Sequence, residues 1–230
     1  MKDGFKKIAA IGVLISPIFF VVLTTLAMFF FPGGYSIRDI VFPTTYYKFE
    51  MNFFSDLGML TTETGLPNLT SSILFGFALT LMGLSFMFYS ITLPSYFQKY
   101  THQYRLAVAG SVFAVLSALG FVGIAFTPWD VLLTPHIFFV FFAFPISAFY
   151  SILLCIAVFI EESYPNVYGW LLIVFTVAMG GYLWFLFGGP DLSYFDGRVI
   201  QVLAQKAIVY IMIVMIPIQA VGSLYLLRKK

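Results

Sequence analysis

The chain has 230 residues, of which 61% are hydrophobic and only 10% are charged, and its formal net charge is +2. Soluble domains carry roughly 25% charged residues, so this composition excludes an ordinary water-exposed surface. The small net charge, with no basic stripe along the chain, argues against a nucleic-acid partner.

Six apolar runs are each long enough to cross a bilayer, which takes about 20 mainly apolar residues in a helix. None shows the alternation of a lipid-facing barrel strand, so the sequence predicts an all-α integral membrane protein, a six-transmembrane-helix bundle forming one domain over residues 1–230. The predicted spans cover residues 8–31, 72–93, 106–126, 133–160, 168–187 and 199–227. The first run follows three lysines, as in a signal peptide, but it is too long for one and is interpreted as a retained span.

One long loop, residues 32–70, joins the first two spans. It is too polar to cross the membrane, yet aromatic side chains crowd its middle, which favours ordered packing over the end of the bundle. Its segment 52–58 contains Ser55 and Asp56 among apolar neighbours. These two residues either form a turn or helix cap, or belong to a binding site.

The third span carries small residues on one face at helical spacing. They are Ala107, Gly110, Ala114, Ser117, Gly120 and Gly123. Small side chains let two helix backbones approach closely, which predicts that this helix is central in the bundle. Dimerisation through the same face is the alternative, and it would make the protein a homo-oligomer.

Polar side chains also gather near the ends of later spans. Asp130 precedes the fourth span, His136 opens it, and Gln205 and Lys206 lie about two turns into the sixth. An ammonium at that depth is costly unless it reaches the headgroups or meets a partner. We therefore predict one polar pocket between the helices at the end that carries the long loop. Its predicted ligand-binding residues are Ser55, Asp56, Asp130, His136, Gln205 and Lys206.

Lysine and arginine predict the orientation, because cytoplasmic segments carry an excess of both. One side of the six-span arrangement holds most of them: Lys2, Lys6, Lys7, Lys99, Arg105, Arg228, Lys229 and Lys230. Both termini are therefore predicted to be cytoplasmic, with the long loop and the pocket on the outer side. In a prokaryote the membrane would be the plasma membrane.

Four short motifs carry a resemblance to known proteins. They are Ser55-Asp56-Leu57-Gly58 in the loop, Phe75-Gly76 in span two, Gly120-Phe121-Val122-Gly123 in span three, and His136 opening span four. The layout resembles the six-span damage-regulated autophagy modulator and GPI-remodelling families. Those families commonly read Ser-Asp-Thr-Gly followed soon by Pro-Glu, whereas this chain has Leu57 and a later Pro67-Asn68, closer to a prokaryotic relative with a domain of unknown function. The resemblance implies a six-helix bundle with an outer polar site that binds or acts on lipid.

For function, we expect a protein that binds a membrane lipid headgroup or a small anionic ligand, since a cationic pair without a complete catalytic set suits that chemistry. An intramembrane lipid hydrolase using His136 and Asp56 is one alternative, although adjacent Ser55 and Asp56 do not easily complete a triad. A small-solute transporter is the other, although the inner half has little polar lining. One outer histidine is too few for a zinc site, and no metal or cofactor is expected. Cys155 is the only cysteine, which excludes an intrachain disulfide.

Overall fold

The computed structural model describes residues 2–228, and six α-helices dominate them. The helices are α1 (Asp3–Phe30), α2 (Leu69–Thr92), α3 (His102–Ala125), α4 (Leu133–Ile160), α5 (Asn166–Gly188) and α6 (Phe195–Arg228). All six are long and apolar enough to cross a membrane by length and composition, so the prediction of six apolar helices is confirmed. The shortest, α5, has 23 residues and measures about 34 Å, compared with a hydrocarbon core of about 30 Å.

Five of the six helices (α1, α2, α3, α5 and α6) begin earlier than the apolar pattern predicts, and two of them, α1 and α6, have an aspartate in the first turn. α1 starts at Asp3 rather than near residue 8, and α6 starts at Phe195 rather than near residue 199. In each helix an aspartate in the first turn, Asp3 or Asp196, places negative charge at the positive end of the helix dipole. The earlier start of α6 places Arg198 on a helix rather than in the preceding loop.

The six helices form a closed ring. Each packs against the helices before and after it in the sequence, and α6 returns to pack against α1. The connections from α2 onward are short, so consecutive helices run antiparallel. α3 consequently lies in the wall of the ring between α2 and α4, not at the centre of the bundle as the small-residue face led us to expect. Side chains and a cavity, rather than a helix, occupy the axis of the ring.

The small-residue face of α3 packs against α4. A Cβ atom at Gly110 would lie 3.5 Å from Leu153, and one at Gly120 would lie 2.8 Å from the Cβ atom of Ala143. Ser117 donates a hydrogen bond of 2.9 Å from Oγ to the carbonyl of Ala143. The close approach expected from the spacing therefore occurs within this chain, while an oligomer stays a prediction.

Gly120→Ala is expected to lower the free energy of unfolding by about 1–2 kcal/mol, because the added methyl group overpacks α3 against α4 by more than it gains in helix propensity. The matched control is Gly181→Ala in α5, where a Cβ atom would have no neighbour within 4 Å. That change is expected to be neutral or to stabilise by up to about 1 kcal/mol. Thermal unfolding of both variants in one detergent checks the difference, and equal midpoints would contradict the packing argument.

The long connection between α1 and α2 is folded onto one end of the ring. It contains an antiparallel hairpin, β1 (Tyr35–Ile37) and β2 (Ile40–Phe42), and a 3-10 helix at Phe54–Gly58. Ser71, at the start of α2, donates a hydrogen bond of 3.0 Å from Oγ to the carbonyl of Leu57 and so holds the 3-10 helix in place. We call this end of the ring the loop end and the other the opposite end.

Buried apolar side chains join the loop to the helices below it. The cluster comprises Ala27, Phe31, Tyr47, Phe54, Leu57 and Phe75. The aromatic residues of the loop are thus part of the packed core at the loop end. The side of a membrane on which this end lies stays a prediction, and Lys229 and Lys230, two of the charges behind it, lie outside the described residues.

Candidate functional site

Asp56 lies at the centre of the loop end, in the 3-10 helix, with only 2% of its surface exposed. Its Oδ2 atom accepts hydrogen bonds from the Phe53 amide at 2.9 Å and from Asn52 Nδ2 at 3.2 Å. Its Oδ1 atom accepts a hydrogen bond from Trp129 Nε1 at 3.1 Å, and the Arg198 guanidinium lies 3.5 Å from Oδ2. Both oxygens are therefore occupied by donors from the loop, the α3–α4 connection and α6.

Burial also changes the acidity of this carboxyl group. Removal from water raises the pKa of Asp56 above its ordinary value, because the charged form loses its hydration. The Arg198 guanidinium, the Asn52 amide and the Lys206 ammonium oppose this rise without cancelling it. Since its oxygens are held by donors, Asp56 organises the loop rather than acting as a free base.

Arg198 fastens the loop to α6. It donates a hydrogen bond of 2.7 Å from Nε to the carbonyl of Met51, and another of 3.1 Å from a terminal nitrogen to the carbonyl of Ser36. Its guanidinium carbon lies 5.6 Å from the centre of the Phe53 ring. With the Asp56 contact, one buried side chain thus holds the hairpin, the segment before the 3-10 helix and the 3-10 helix itself.

Lys206 is buried beneath the loop, with 1% of its surface exposed. Its Nζ atom donates a hydrogen bond to the carbonyl of Asn52. It also lies 4.8 Å, 5.2 Å and 5.5 Å from the ring centres of Phe49, Tyr47 and Phe54. These aromatic faces attract the cation and shield it from solvent, so Lys206 is held by the loop instead of reaching outward along its stem.

A cavity of about 420 Å³ opens beside these charges, between the 3-10 helix and helices α4, α5 and α6. One part of its lining is polar: Ser55, Asp56, Trp129, His136, Arg198, Gln201 and Gln205. The other part is mainly apolar: Phe53, Leu133, Ile137, Val140, Phe141, Tyr182, Phe185, Leu186 and Leu192. The cavity is therefore amphipathic, and its size lies in the range of small-molecule sites.

His136 is one of the residues that line this cavity. Its Nδ1 atom lies 2.7 Å from the carbonyl of Thr127, which can only accept, so Nδ1 carries the hydrogen. In the neutral ring Nε2 is then left as an acceptor. The donors to Asp56 are Asn52, Phe53 and Trp129, and the partner of His136 is Thr127, so the two side chains of the hydrolase hypothesis line one cavity with different hydrogen-bond partners. Within residues 2–228, no group of three or more histidine, cysteine, aspartate or glutamate side chains is arranged to hold a metal ion.

The structure brings four of the six predicted site residues to one cavity: Ser55, Asp56, His136 and Gln205. Among the described residues, the lining of this cavity does not include Lys206 or Asp130. Lys206 instead donates a hydrogen bond to the carbonyl of Asn52, and its charge is close enough to act on Asp56. Asp130 accepts hydrogen bonds from the backbone amides of Leu60 and Thr61 at 3.0 Å and 2.9 Å, so it holds the end of the loop.

Sequence reasoning did not assign Arg198, Gln201 or Trp129 to the site. The signal for the first two was present, because Arg198, Gln201 and Gln205 follow one another at intervals of three and four, on one face of a helix. The predicted sixth span began at residue 199, so Arg198 was assigned to the preceding loop and this row of polar residues was not recognised. Trp129 gave no comparable signal, since its role depends on the folded position of the α3–α4 connection.

Comparison with known proteins gives no relative from which a role could be transferred. No protein-family model, curated protein or solved structure matches the chain. The resemblance carried by the four short motifs stays a prediction, and the function is inferred below from the site geometry.

Proposed function

We propose that this protein is a multi-pass membrane protein that binds an anionic amphipathic molecule, a lipid with an anionic headgroup, in the loop-end cavity. The six helices, all apolar enough to span a bilayer, support the membrane location. The cavity supports the ligand class, because it offers both charged and apolar walls at the same end of the ring.

The charge balance of the buried cluster carries this proposal. Arg198 and Lys206 supply two formal positive charges and Asp56 supplies one negative charge, and their exposed fractions are only 8%, 1% and 2%. Glu50 also acts on Lys206, but it is 46% exposed and pairs with Lys48 at 3.8 Å. Among the three buried side chains, one positive charge is therefore in excess. A buried unpaired charge is costly, and an anion bound in the adjoining cavity relieves that cost.

Neutral donors beside the cluster suit the same ligand. The Oε1 atom of Gln205 accepts the Phe54 amide at 2.9 Å, which leaves its Nε2 group as a donor. Gln201 lies one turn earlier on the same face of α6 and also lines the cavity, with one hydrogen of its Nε2 group donated to the carbonyl of Pro190 at 2.6 Å and the other left as a donor. A phosphate or carboxylate oxygen placed there receives hydrogen bonds as well as charge, which strengthens binding in a site shielded from water.

The distribution of basic residues supports an orientation as part of the proposal. Lys2, Lys6 and Lys7 lie at the opposite end of the ring, and Arg105 lies near the start of α3 at that same end. By the positive-inside rule the opposite end faces the cytoplasm, and the loop-end cavity then faces the outer leaflet. The plasma membrane is the proposed location for a prokaryotic source.

Thermal unfolding with added lipid tests the proposed function. In nonionic detergent, phosphatidic acid is expected to raise the unfolding midpoint more than phosphatidylcholine does, because only the former neutralises the buried excess charge. A ligand at about 100 times its dissociation constant stabilises the folded state by about 2.7 kcal/mol. Leu186→Trp, which places a bulkier side chain in the cavity from α5, is expected to reduce the difference between the two lipids.

The matched control is Val177→Trp, on the same helix but 70% exposed and away from the cavity. It is expected to keep the preference for phosphatidic acid. Inorganic phosphate forms a further arm: the same stabilisation by phosphate alone would identify a free anion rather than a lipid as the ligand. Equal shifts with both lipids, or a preference that is undiminished in Leu186→Trp, would overturn the proposed function.

A further inference from the structure

The hairpin that follows α1 has an inner strand and an outer strand. β1 is the inner strand, because Tyr35 is buried and the carbonyl of Ser36 accepts the hydrogen bond from Arg198. β2 pairs with β1 in antiparallel register, and the ring of Phe42 stacks on that of Tyr35 with centres 5.2 Å apart. The buried cluster therefore holds β1, and β2 lies along the edge of β1 that faces away from Arg198.

The turn of this hairpin shows which backbone groups of β2 point outward. Arg38 and Asp39 both have positive φ, of 52° and 61°, as the two central residues of a type I′ turn require. In such a hairpin the pair that closes the turn, Ile37–Ile40, exchanges the hydrogen bonds, and the next pair turns its backbone groups away from the partner strand. Val41, opposite Ser36, consequently points its N–H and C=O groups to the outer side of the hairpin.

The side chains of β2 are all apolar and all exposed. Ile40 is 61% exposed, Val41 43% and Phe42 39%. A strand with one face on a core would bury alternate residues, and β2 does not. An edge strand with three exposed apolar side chains is prone to pair with other chains in water, so this strand fits an environment that covers apolar groups.

Contacts of the hairpin place it at the perimeter of the ring, near α1 and α6. β1 begins five residues after α1 ends at Phe30, so it lies within about 18 Å of that end. At the tip of the hairpin the guanidinium carbon of Arg38 lies 4.2 Å from the centre of the Tyr194 ring, one residue before α6. The helices α1 and α6 are neighbours in the ring. Since Arg198 holds β1 from the inside, β2 faces outward from the ring.

The helix ends beside the hairpin carry the surface that a bilayer covers. Phe29 and Phe30, in the last turn of α1, are 82% and 51% exposed, and Phe195, at the start of α6, is 54% exposed. Aromatic side chains at the ends of spanning helices favour the layer where headgroups meet hydrocarbon. The three apolar side chains of β2 extend this band of exposed aromatic residues.

We infer that β2 lies in the lipid headgroup layer of the bilayer and that its apolar side chains contact the upper part of the acyl chains. The hydrocarbon core itself does not suit the strand, because the outward backbone groups of Val41 would find no hydrogen-bond partner there. Headgroups and interfacial water supply such partners. The inference uses the membrane location of the proposed function but not the ligand of the loop-end cavity, so the two are tested separately.

Spin labels in nanodiscs of phosphatidylcholine test the position of β2. The only cysteine, Cys155, is buried and is first replaced by alanine. Ile40→Cys then carries a nitroxide on β2, and Val41→Cys carries one on the opposite face of the strand. Glu63→Cys is the control for water, because it lies in the same loop and its native carboxylate requires hydration. Val214→Cys, 54% exposed in the middle of α6, is the control for hydrocarbon.

Power saturation compares collisions of each label with oxygen and with a nickel chelate. Oxygen concentrates in hydrocarbon and the chelate in water, so the oxygen-to-nickel ratio is expected to be at least about threefold higher at Ile40 or Val41 than at Glu63. Both ratios are expected to stay below the ratio at Val214, because the headgroup layer still contains water.

Ratios at Ile40 and Val41 equal to that at Glu63 would place β2 in water and overturn the inference. Line broadening at Ile40 that disappears on dilution with unlabelled protein would show that β2 pairs with a second copy of the chain, which also overturns it. If Val214 gave the ratio of Glu63, the membrane location in the proposed function would fail instead.

Discussion

Replacing Asp56 with alanine is expected to lower the free energy of unfolding by about 3–5 kcal/mol, the cost of removing one member of a buried ion pair. The change leaves Arg198 and Lys206 as two buried cations with no anion between them. It also leaves the indole N–H of Trp129 and the amide of Phe53 without their acceptor. Each unsatisfied buried donor adds a penalty of about 1–3 kcal/mol, although these costs overlap.

Thermal unfolding in detergent measures the Asp56→Ala effect, and limited proteolysis of the loop gives a second readout. Because Arg198 and Asp56 hold the loop to α6, cleavage between residues 36 and 56 is expected to accelerate before the helices unfold. Asp130→Ala is the matched control, since Asp130 also accepts loop amides but does so where the bonds are exposed. It is expected to cost about 1 kcal/mol. Similar midpoints for the two variants would show that the buried network does not stabilise the loop as described.

Replacing Lys206 with methionine is expected to weaken lipid binding without lowering the stability of the protein. The neutral Asp56–Arg198 pair remains, and the carbonyl of Asn52 keeps the hydroxyl of Tyr47 as a donor at 2.8 Å. Stability is therefore expected to stay the same or to rise, because a buried charge in excess has been removed. Affinity for an anionic lipid is expected to fall about tenfold or more, since two unit charges about 10 Å apart at an effective dielectric of 20 interact by about 1.7 kcal/mol.

Lipid titrations of Lys206→Met against wild-type protein, read by thermal shift, measure this change. Lys48→Met is the matched control, because Lys48 lies in the same loop, is partly exposed, and pairs with Glu50 at 3.8 Å. It is expected to alter neither stability nor lipid affinity by more than a few tenths of a kcal/mol. If Lys206→Met lost as much stability as Asp56→Ala, the ammonium would be a structural partner of the loop and not a surplus charge available to a ligand.

The candidate site shows where sequence reasoning stops. The residue types at Ser55, Asp56, His136 and Gln205 stood out because polar groups are rare next to apolar spans, and the structure places all four at one cavity. Lys206 stood out for the same reason, yet aromatic rings of the loop enclose it and separate it from the cavity. Rarity in the sequence identifies a polar group that needs a partner, but it does not identify the partner.

The close packing of α3 was also predictable only in part from the sequence. The interval of three and four between Gly110, Ser117 and Gly120 indicates a face on which another backbone approaches. That face alone does not say which helix approaches, and both a central helix and a dimer were consistent with it. The antiparallel neighbour α4 takes this position because a short connection brings it alongside α3, and ring closure then leaves α3 in the wall.

By itself, the sequence determined the number of apolar helices and their approximate bounds, because length, hydropathy and charge are properties of adjacent residues. Only the tertiary structure decided that the helices close into a ring, that Arg198 rather than Lys206 contacts Asp56, and that the 3-10 helix and helices α4, α5 and α6 enclose one cavity. These features depend on contacts between distant positions, such as Asn52 and Lys206, which are 154 residues apart. Local patterns carry no information on such distances, whereas packing and the pairing of buried charges do.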